Sequence, residues 1–220
     1  MSLHHPAPIA HHPSEELLLA YAAGAADEAT GLILATHLAY CAACRRHSRE
    51  MEAMGGCLLQ ELSPAPMSSG ALDAALRKLD GVQPFERPPR PVSKDGTPAV
   101  LRSYIGGDLA DVRWRQVGPR LAYVPLLRRG AVTARLLRGV PGTETGAHRH
   151  GGLEYTLVLK GGFSDETGRY APGDLQVMQG DMRHNPVADP GEPCINLAVT
   201  TGPLKFDSLL QRIVAPLFGF

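Results

Sequence analysis

The chain has 220 residues, of which 44% are hydrophobic and 20% charged. This length fits one large domain or two small ones, and the balance excludes wholesale disorder. Lys and Arg total 22 and Asp and Glu total 22, so the net charge of zero disfavours a strongly basic nucleic-acid binder. No apolar run reaches the roughly 18 residues of a membrane helix. The N-terminus lacks the cationic start and apolar core of a secretory signal, so we expect a cytoplasmic protein.

The first 81 residues have the sequence pattern of helices. Apolar residues three and four positions apart, such as Met51, Met54 and Leu58, form one stripe on a helix. Ser14 is a predicted N-cap, because its side chain can accept a hydrogen bond from the first turn. Seven acidic and three basic residues between positions 14 and 62 give a charge of −4, which favours a basic partner and disfavours nucleic acid. The predicted helices cover residues 14–23, 27–40, 44–62 and 70–79.

The sequence pattern changes after residue 81. Five prolines between positions 83 and 98 predict a semi-extended linker over residues 82–99. Beyond the linker, short apolar segments alternate with Gly/Pro turns, which is typical of a β-sandwich or barrel. The predicted strands cover residues 131–137, 154–159, 175–178 and 195–200, and a closing helix is predicted over 206–220. We therefore expect two domains: an all-α domain at 1–81 and an all-β domain at 100–220.

A histidine and two cysteines make the helical part a candidate for metal binding. His37, Cys41 and Cys44 fall on one face if they share a helix, and a helix–turn–helix would also bring them together. Two thiolates and an imidazole suit Zn²⁺, and a structural zinc site needs a fourth ligand. By position along the chain, the candidates for that ligand are His11, His12, His47 and Cys57. Cys57 has no close partner in sequence and is expected in the core. The alternative interpretation is a redox-active Cys-x-x-Cys, or two small buried cysteines beside a solvated histidine.

A second set of possible ligands lies in the β part. His148, His150 and Glu154 share parity, so in one strand their side chains would point the same way, toward a barrel interior. His184, the one histidine downstream in the sequence, would supply a ligand from a facing strand. Three imidazoles and a carboxylate suit Zn²⁺, and also Mn, Fe or Ni when water completes an octahedron. The alternative is an exposed loop, flanked by glycines, that carries the first two histidines.

The His-x₃-Cys-x₂-Cys run in a small acidic helical module resembles the zinc-binding anti-sigma domain. This resemblance implies that a histidine before the first helix supplies the fourth ligand to zinc. His12 is the best match and His11 is the rival, while position alone also leaves His47 open.

The spacing from Gly142 to Gly161 resembles the first cupin motif, which implies a jelly-roll-like barrel with a metal inside. Gly173 and His184 fit the second cupin motif. The sequence departs from that motif at Gln179, Asp181 and Ala188. The two motifs in this order resemble the ChrR-like family of zinc anti-sigma factors, which carry a C-terminal cupin, over nearly the whole chain.

The resemblance implies a transcription regulator rather than an enzyme. The helical domain would form a heterodimer with a group IV (extracytoplasmic function) sigma factor and mask its polymerase-binding surfaces. The cupin would sense singlet oxygen or related oxidants and release the sigma factor, with no direct contact to nucleic acid or membrane. The main rival is a metal-dependent cupin enzyme, a dioxygenase or isomerase, with a helical accessory domain. Its candidate acid/base residues are Glu144, Tyr155 and Asp174. A zinc DNA-binding module is disfavoured by the acidic charge.

Overall fold

A computed structural model describes residues 8–81, 92–180 and 182–206, apart from the side chains of residues 150 and 204–206. The first helices lie within two residues of their predicted ends. Ser14 caps the first helix by accepting a hydrogen bond from the amide of Leu17, and Asp27 caps the second in the same way. The helices are α1 (Glu15–Ala22), α2 (Glu28–Tyr40), α3 (Ala42–Gln60) and α4 (Ala71–Leu79).

The second part of the chain begins with a short helix and continues as antiparallel strands. The elements are α5 (Ala99–Ile105), β1 (Arg115–Gln116), β2 (Leu121–Arg129), β3 (Val132–Gly139), β4 (His148–His150), β5 (Glu154–Lys160), β6 (Phe163–Asp165), β7 (Gly168–Tyr170), β8 (Leu175–Met178), β9 (Val187–Ala188), β10 (Cys194–Thr200) and β11 (Leu204–Phe206). A six-stranded sheet has the order β1-β2-β3-β10-β5-β8. A three-stranded sheet, β7-β6-β9, and the pair β4-β11 complete the β part.

Helix α5 lies where the sequence pattern predicted the end of the linker and the start of β structure. The carboxylate of Asp95 accepts a hydrogen bond from the amide of Ala110 at 2.8 Å. The carboxylate of Asp108 accepts one from the amide of Lys94, also at 2.8 Å. These bonds hold the residues just before α5 against the segment between α5 and β1. Residues 82–91 lie outside the described residues.

Helix α2 joins the helical and β parts in one apolar core. Its residues Leu32, Ile33 and Leu34 are all buried. They belong to the same cluster as Leu157 of β5 and Leu197 of β10. The division at residue 81 therefore separates two kinds of secondary structure, whereas the packing crosses it.

The large sheet buries both of its faces. In β5, Tyr155 and Leu157 belong to the core shared with α2. The alternate residues Glu154 and Thr156 point to the opposite face, because successive side chains of a strand do so, and they too are buried. That second face carries most of the buried polar side chains of the barrel and forms its interior.

None of the helices in the described ranges is both long and apolar enough to cross a lipid bilayer. The predicted closing helix over 206–220 lies outside the described residues apart from Phe206, which ends strand β11.

Candidate metal centres

Four side chains meet at the junction between α1, α2 and α3. His12 precedes α1, His37 is in the last turn of α2, Cys41 caps α3 and Cys44 is in its first turn. One possible ligand atom from each residue lies within 4.8 Å of the others. The Nδ1 atom of His12 is 3.5 Å from Sγ of Cys41 and 3.3 Å from Sγ of Cys44. The helix–turn–helix alternative is thus the one observed, and a single helix does not carry the three residues.

The chemistry of these four residues fits a tetrahedrally bound metal ion. The Nδ1–H group of His37 donates to the carbonyl oxygen of Gly173 at 2.9 Å, while its buried Nε2 atom has no hydrogen-bond partner among the described residues. Burial lowers the pKa of His37 to about 4, so its ring is neutral and can act as a ligand. Burial also raises the pKa of Cys44 to about 12, and a bound cation would supply the charge that stabilises the thiolate. Two nitrogen and two sulfur atoms match the ligands of structural metal sites.

The other candidates for the fourth position lie away from this group. The ring of His11 lies against that of Tyr170, with 4.4 Å between centroids and 38° between the ring planes. The Nδ1 atom of His47 is within hydrogen-bond distance of Oε2 of Glu50, at 3.3 Å. Cys57 is exposed, so the expectation that it lies in the core is wrong. Helix α3 turns this position toward solvent.

A second group lies inside the barrel and combines His148, Glu154 and His184. One possible ligand atom from each lies within 4.8 Å of the others, and all three residues are buried. The Nε2 atoms of the two histidines are 3.1 Å apart, and Nε2 of His184 is 3.5 Å from Oε2 of Glu154. The Nδ1–H group of His148 donates to the carbonyl oxygen of Gly146 at 2.7 Å, which leaves Nε2 as an acceptor. Two facing imidazole nitrogens beside a carboxylate suit a shared cation.

The prediction that one strand carries the first ligands of the barrel group is wrong. His148 is in β4 and Glu154 is in β5, and these strands belong to different sheets, so shared parity in one strand does not bring them together. The turn at Gly151 and Gly152 separates the two strands. His150 is in β4, but its side chain lies outside the described part of the structure.

A second carboxylate, which the sequence pattern did not indicate, holds His184 from the other side. The Nδ1–H group of His184 donates to Oδ2 of Asp165 at 3.0 Å. The same oxygen accepts a hydrogen bond from Nε2 of Gln176 at 2.7 Å. Burial alone would lower the pKa of His184. The hydrogen bonds to Glu154 and Asp165, together with the negative charges of these two residues, outweigh burial and raise the pKa of His184. No motif in the sequence marks Asp165, because its role depends on long-range pairing.

The three residues that the rival enzyme interpretation names as acids or bases do not form one group beside the barrel ligands. Tyr155 lies in the apolar core on the helix side of the sheet. Asp174 accepts hydrogen bonds from the backbone amides of Ala10 and His11, close to the helical ligand group. Glu144 is exposed. In the described part of the chain, two of these three candidates therefore face away from the barrel ligands.

The two ligand groups define a class of protein, in which a helical module with possible metal ligands is fused to a cupin-like barrel. The family model of the ChrR cupin-like domain matches residues 103–205. The anti-sigma-E factor ChrR of Cereibacter sphaeroides is 42% identical over 211 residues, which cover 96% of this chain and 98% of that protein. The chain belongs to the ChrR family of anti-sigma factors. This membership confirms the resemblance seen in the sequence and identifies a regulator rather than an enzyme.

A solved structure supports the same assignment. The crystal structure of Rhodobacter sphaeroides SigE in complex with the anti-sigma ChrR matches 87% of this chain and 99% of that chain. The sequence identity is 41% and the TM-score is 0.75. The likeness thus includes the helical part as well as the barrel.

Proposed function

We propose that this chain sequesters a group IV sigma factor in the cytoplasm and releases it in response to singlet oxygen or related oxidants. The observation that carries the proposal is the pairing of a helical four-ligand group with a cupin-like barrel in a chain 42% identical to an anti-sigma factor. The relative with a similar structure was crystallised in complex with its sigma factor, SigE.

The surface that would bind the sigma factor is the apolar face of α3, α4 and the segment between them. Soluble proteins seldom expose so many large apolar side chains on neighbouring elements, and such a surface is typical of a protein interface. The acidic charge of this part would favour a basic partner. The exposed residues of this α3–α4 apolar face are Met54, Leu58, Leu59, Leu62, Met67, Leu72, Leu76 and Leu79.

Zinc is the metal that we assign to the helical group of His12, His37, Cys41 and Cys44. Two thiolates and two imidazoles complete a tetrahedral structural site with no open position, as structural zinc requires. The bound ion would fix the angle between α2 and α3, because its ligands come from the end of one helix and the start of the next. Residues 1–81 would then form the inhibitory unit, held in shape by the metal and by the barrel.

The barrel group is the proposed sensor, with His148, Glu154 and His184 as ligands and His150 as a fourth. Its metal is Zn or another divalent ion such as Mn, Fe or Ni, since imidazole and carboxylate ligands suit all of them. The one cysteine of the barrel is a poor target for oxidation. Cys194 is buried, and burial raises its pKa to about 12, so little reactive thiolate exists at neutral pH. Within the barrel, this favours the metal group over the thiol of Cys194 as the site that an oxidant changes.

The experiment that tests the proposal uses the purified chain and a group IV sigma factor from the same organism. The two proteins should form a stable equimolar complex, and the chain should prevent the sigma factor from joining core RNA polymerase. A primary sigma factor serves as the control and should remain with the polymerase. If the chain binds neither sigma factor, the proposed function is wrong.

A further inference from the structure

The turn between β7 and β8 carries a buried carboxylate that faces the N-terminal segment. Asp174 is only 3% exposed. Its Oδ1 atom accepts hydrogen bonds from the amides of Ala10 at 2.8 Å and His11 at 2.9 Å. Its Oδ2 atom accepts one from the amide of Ala171 at 2.8 Å, within its own turn. One side chain of the barrel thus fixes two backbone amides that lie more than 160 positions earlier in the chain.

Those two amides come directly before His12 in the sequence. The carbonyl oxygen of His11 also accepts a hydrogen bond from the amide of Leu175 at 3.1 Å, so the backbone just before His12 is held through both amide and carbonyl groups. The ring of His11 lies against Tyr170 of β7. His12 itself is exposed and is not part of a helix, so these contacts position the backbone that carries its ring.

The same turn also contacts the second imidazole of the helical group. The carbonyl oxygen of Gly173 accepts the hydrogen bond from Nδ1 of His37 at 2.9 Å. Gly173 has φ +93°, and a Cβ atom there would lie 2.7 Å from Cδ1 of Ile9 and 3.2 Å from Cβ of Tyr40. A side chain at this position would therefore push the turn away from α2. Glycine allows the approach that brings its carbonyl oxygen to His37.

We propose that the turn over residues 171–175 of the barrel positions both histidines of the helical metal site, with Asp174 as the positioning residue for His12. The inference rests on the proposed metal site of the helical part. Partners in the outer shell of a metal site orient the ligands, and their loss typically weakens metal binding about 10- to 100-fold. Metal affinity in the helical module is accordingly a property of the barrel as well as of its own ligands.

The strand that follows this turn reaches the barrel ligands too. Gln176 of β8 donates to Asp165, which in turn accepts the hydrogen bond from His184. Strand β8 and its preceding turn are thus one element in contact with both ligand groups. A displacement of this element would change the surroundings of both histidines of the helical site.

Cobalt binding to the full chain tests this inference. Thiolate-to-cobalt absorption reports only the helical site, because the barrel group contains no cysteine. The variants are Asp174→Asn, which keeps the size and one acceptor oxygen, and Asp174→Ala, which removes both acceptors. The matched control is Asp189→Asn, another barrel carboxylate, whose side-chain partners Ser164 and Arg169 both lie within the barrel.

We expect cobalt affinity to fall by about 10- to 100-fold in Asp174→Ala and by less in Asp174→Asn, with a changed absorption spectrum in both. Measurement well below the unfolding temperature separates positioning from stability, since a purely structural role lowers that temperature and leaves the spectrum of the folded chain unchanged. Unchanged affinity and spectrum in Asp174→Asn and in folded Asp174→Ala would overturn the inference. If Asp174→Ala does not fold, the Asn variant decides alone. An unmodified chain without a thiolate–cobalt band would instead refute the metal site itself.

Discussion

The Nδ1 atom of His184 lies 3.0 Å from Oδ2 of Asp165, in a pair whose side chains are both almost fully buried. The carboxylate accepts the hydrogen bond from Nδ1–H, and Nε2 of the same ring faces His148 and Glu154. Such a carboxylate–histidine pair orients a metal ligand and makes it more basic. Asp165 therefore belongs to the barrel site although it lies outside the ligand group.

We predict that Asp165→Asn weakens metal binding in the barrel by about 10- to 100-fold, because the amide no longer holds the His184 ring with a negative charge. Competition with a chelator, followed by elemental analysis of the chain, measures the effect. Metal in the helical site should stay at the unmodified level. Barrel metal that is retained as tightly as in the unmodified chain would contradict the role given to Asp165.

A second prediction is that the two ligand groups bind metal separately. Replacing Cys41 and Cys44 by serine should remove one ion per chain, and replacing His148 and His150 by alanine should remove the other, because the groups share no ligand. Elemental analysis of folded protein, checked by circular dichroism, gives the counts. Loss of both ions from either double variant would show that the sites depend on each other.

The α3–α4 apolar face provides the third prediction. Leu58→Asp and Leu72→Asp should each weaken sigma binding by about 30-fold or more, since a central interface residue contributes about 2 kcal/mol. Their side chains are 66% and 69% exposed, so folding stability should change by no more than about 0.5 kcal/mol. Val177→Asp, at an exposed apolar position of the barrel, is the control and should bind normally. Calorimetric titration with the sigma factor tests these values, and normal affinity in both leucine variants would rule out this face.

The fourth prediction concerns the helical unit alone. Residues 1–81 should bind the sigma factor and block its transcription, because both the apolar face and the four possible zinc ligands lie within them. The fragment should unfold at a lower temperature than the full chain, since Ile33 and Leu34 lose the sheet that covers them. Residues 92–220 should not bind. A folded, zinc-loaded fragment that leaves transcription unchanged would place the inhibitory surface elsewhere.

Local signals explain why the helices could be predicted from the sequence. Ser14 and Asp27 are strong N-caps, and the residues after them have helical spacing, so α1 and α2 begin within one residue of the expected positions. The spacing of His37, Cys41 and Cys44 likewise identified a group that the fold assembles. Here neighbours in sequence are also neighbours in space.

Most of the features that could not be predicted from the sequence depend on distant contacts. Glycines 151 and 152 turn the chain so tightly that a Cβ atom on Gly152 would lie 2.5 Å from Oγ1 of Thr201, and this turn moves Glu154 out of the strand of His148. The even spacing of positions 148, 150 and 154 does not reveal this turn. Asp174 acts on backbone amides at the other end of the chain, and hydrogen bonds to backbone groups leave no pattern of residue types. Helix α5 has only seven residues and directly follows a proline-rich segment, so it is too short for a helical spacing to stand out.

The claim that this chain is an inhibitor released through its barrel metal is tested most directly by sigma-dependent transcription in cells exposed to singlet oxygen. With the unmodified chain, we predict low transcription that rises on exposure, and the Cys194→Ser variant should behave in the same way. With Glu154→Ala, transcription should be low before exposure and remain low afterwards, because the barrel has lost a ligand of the proposed sensor. A normal rise in the Glu154→Ala strain would contradict the account.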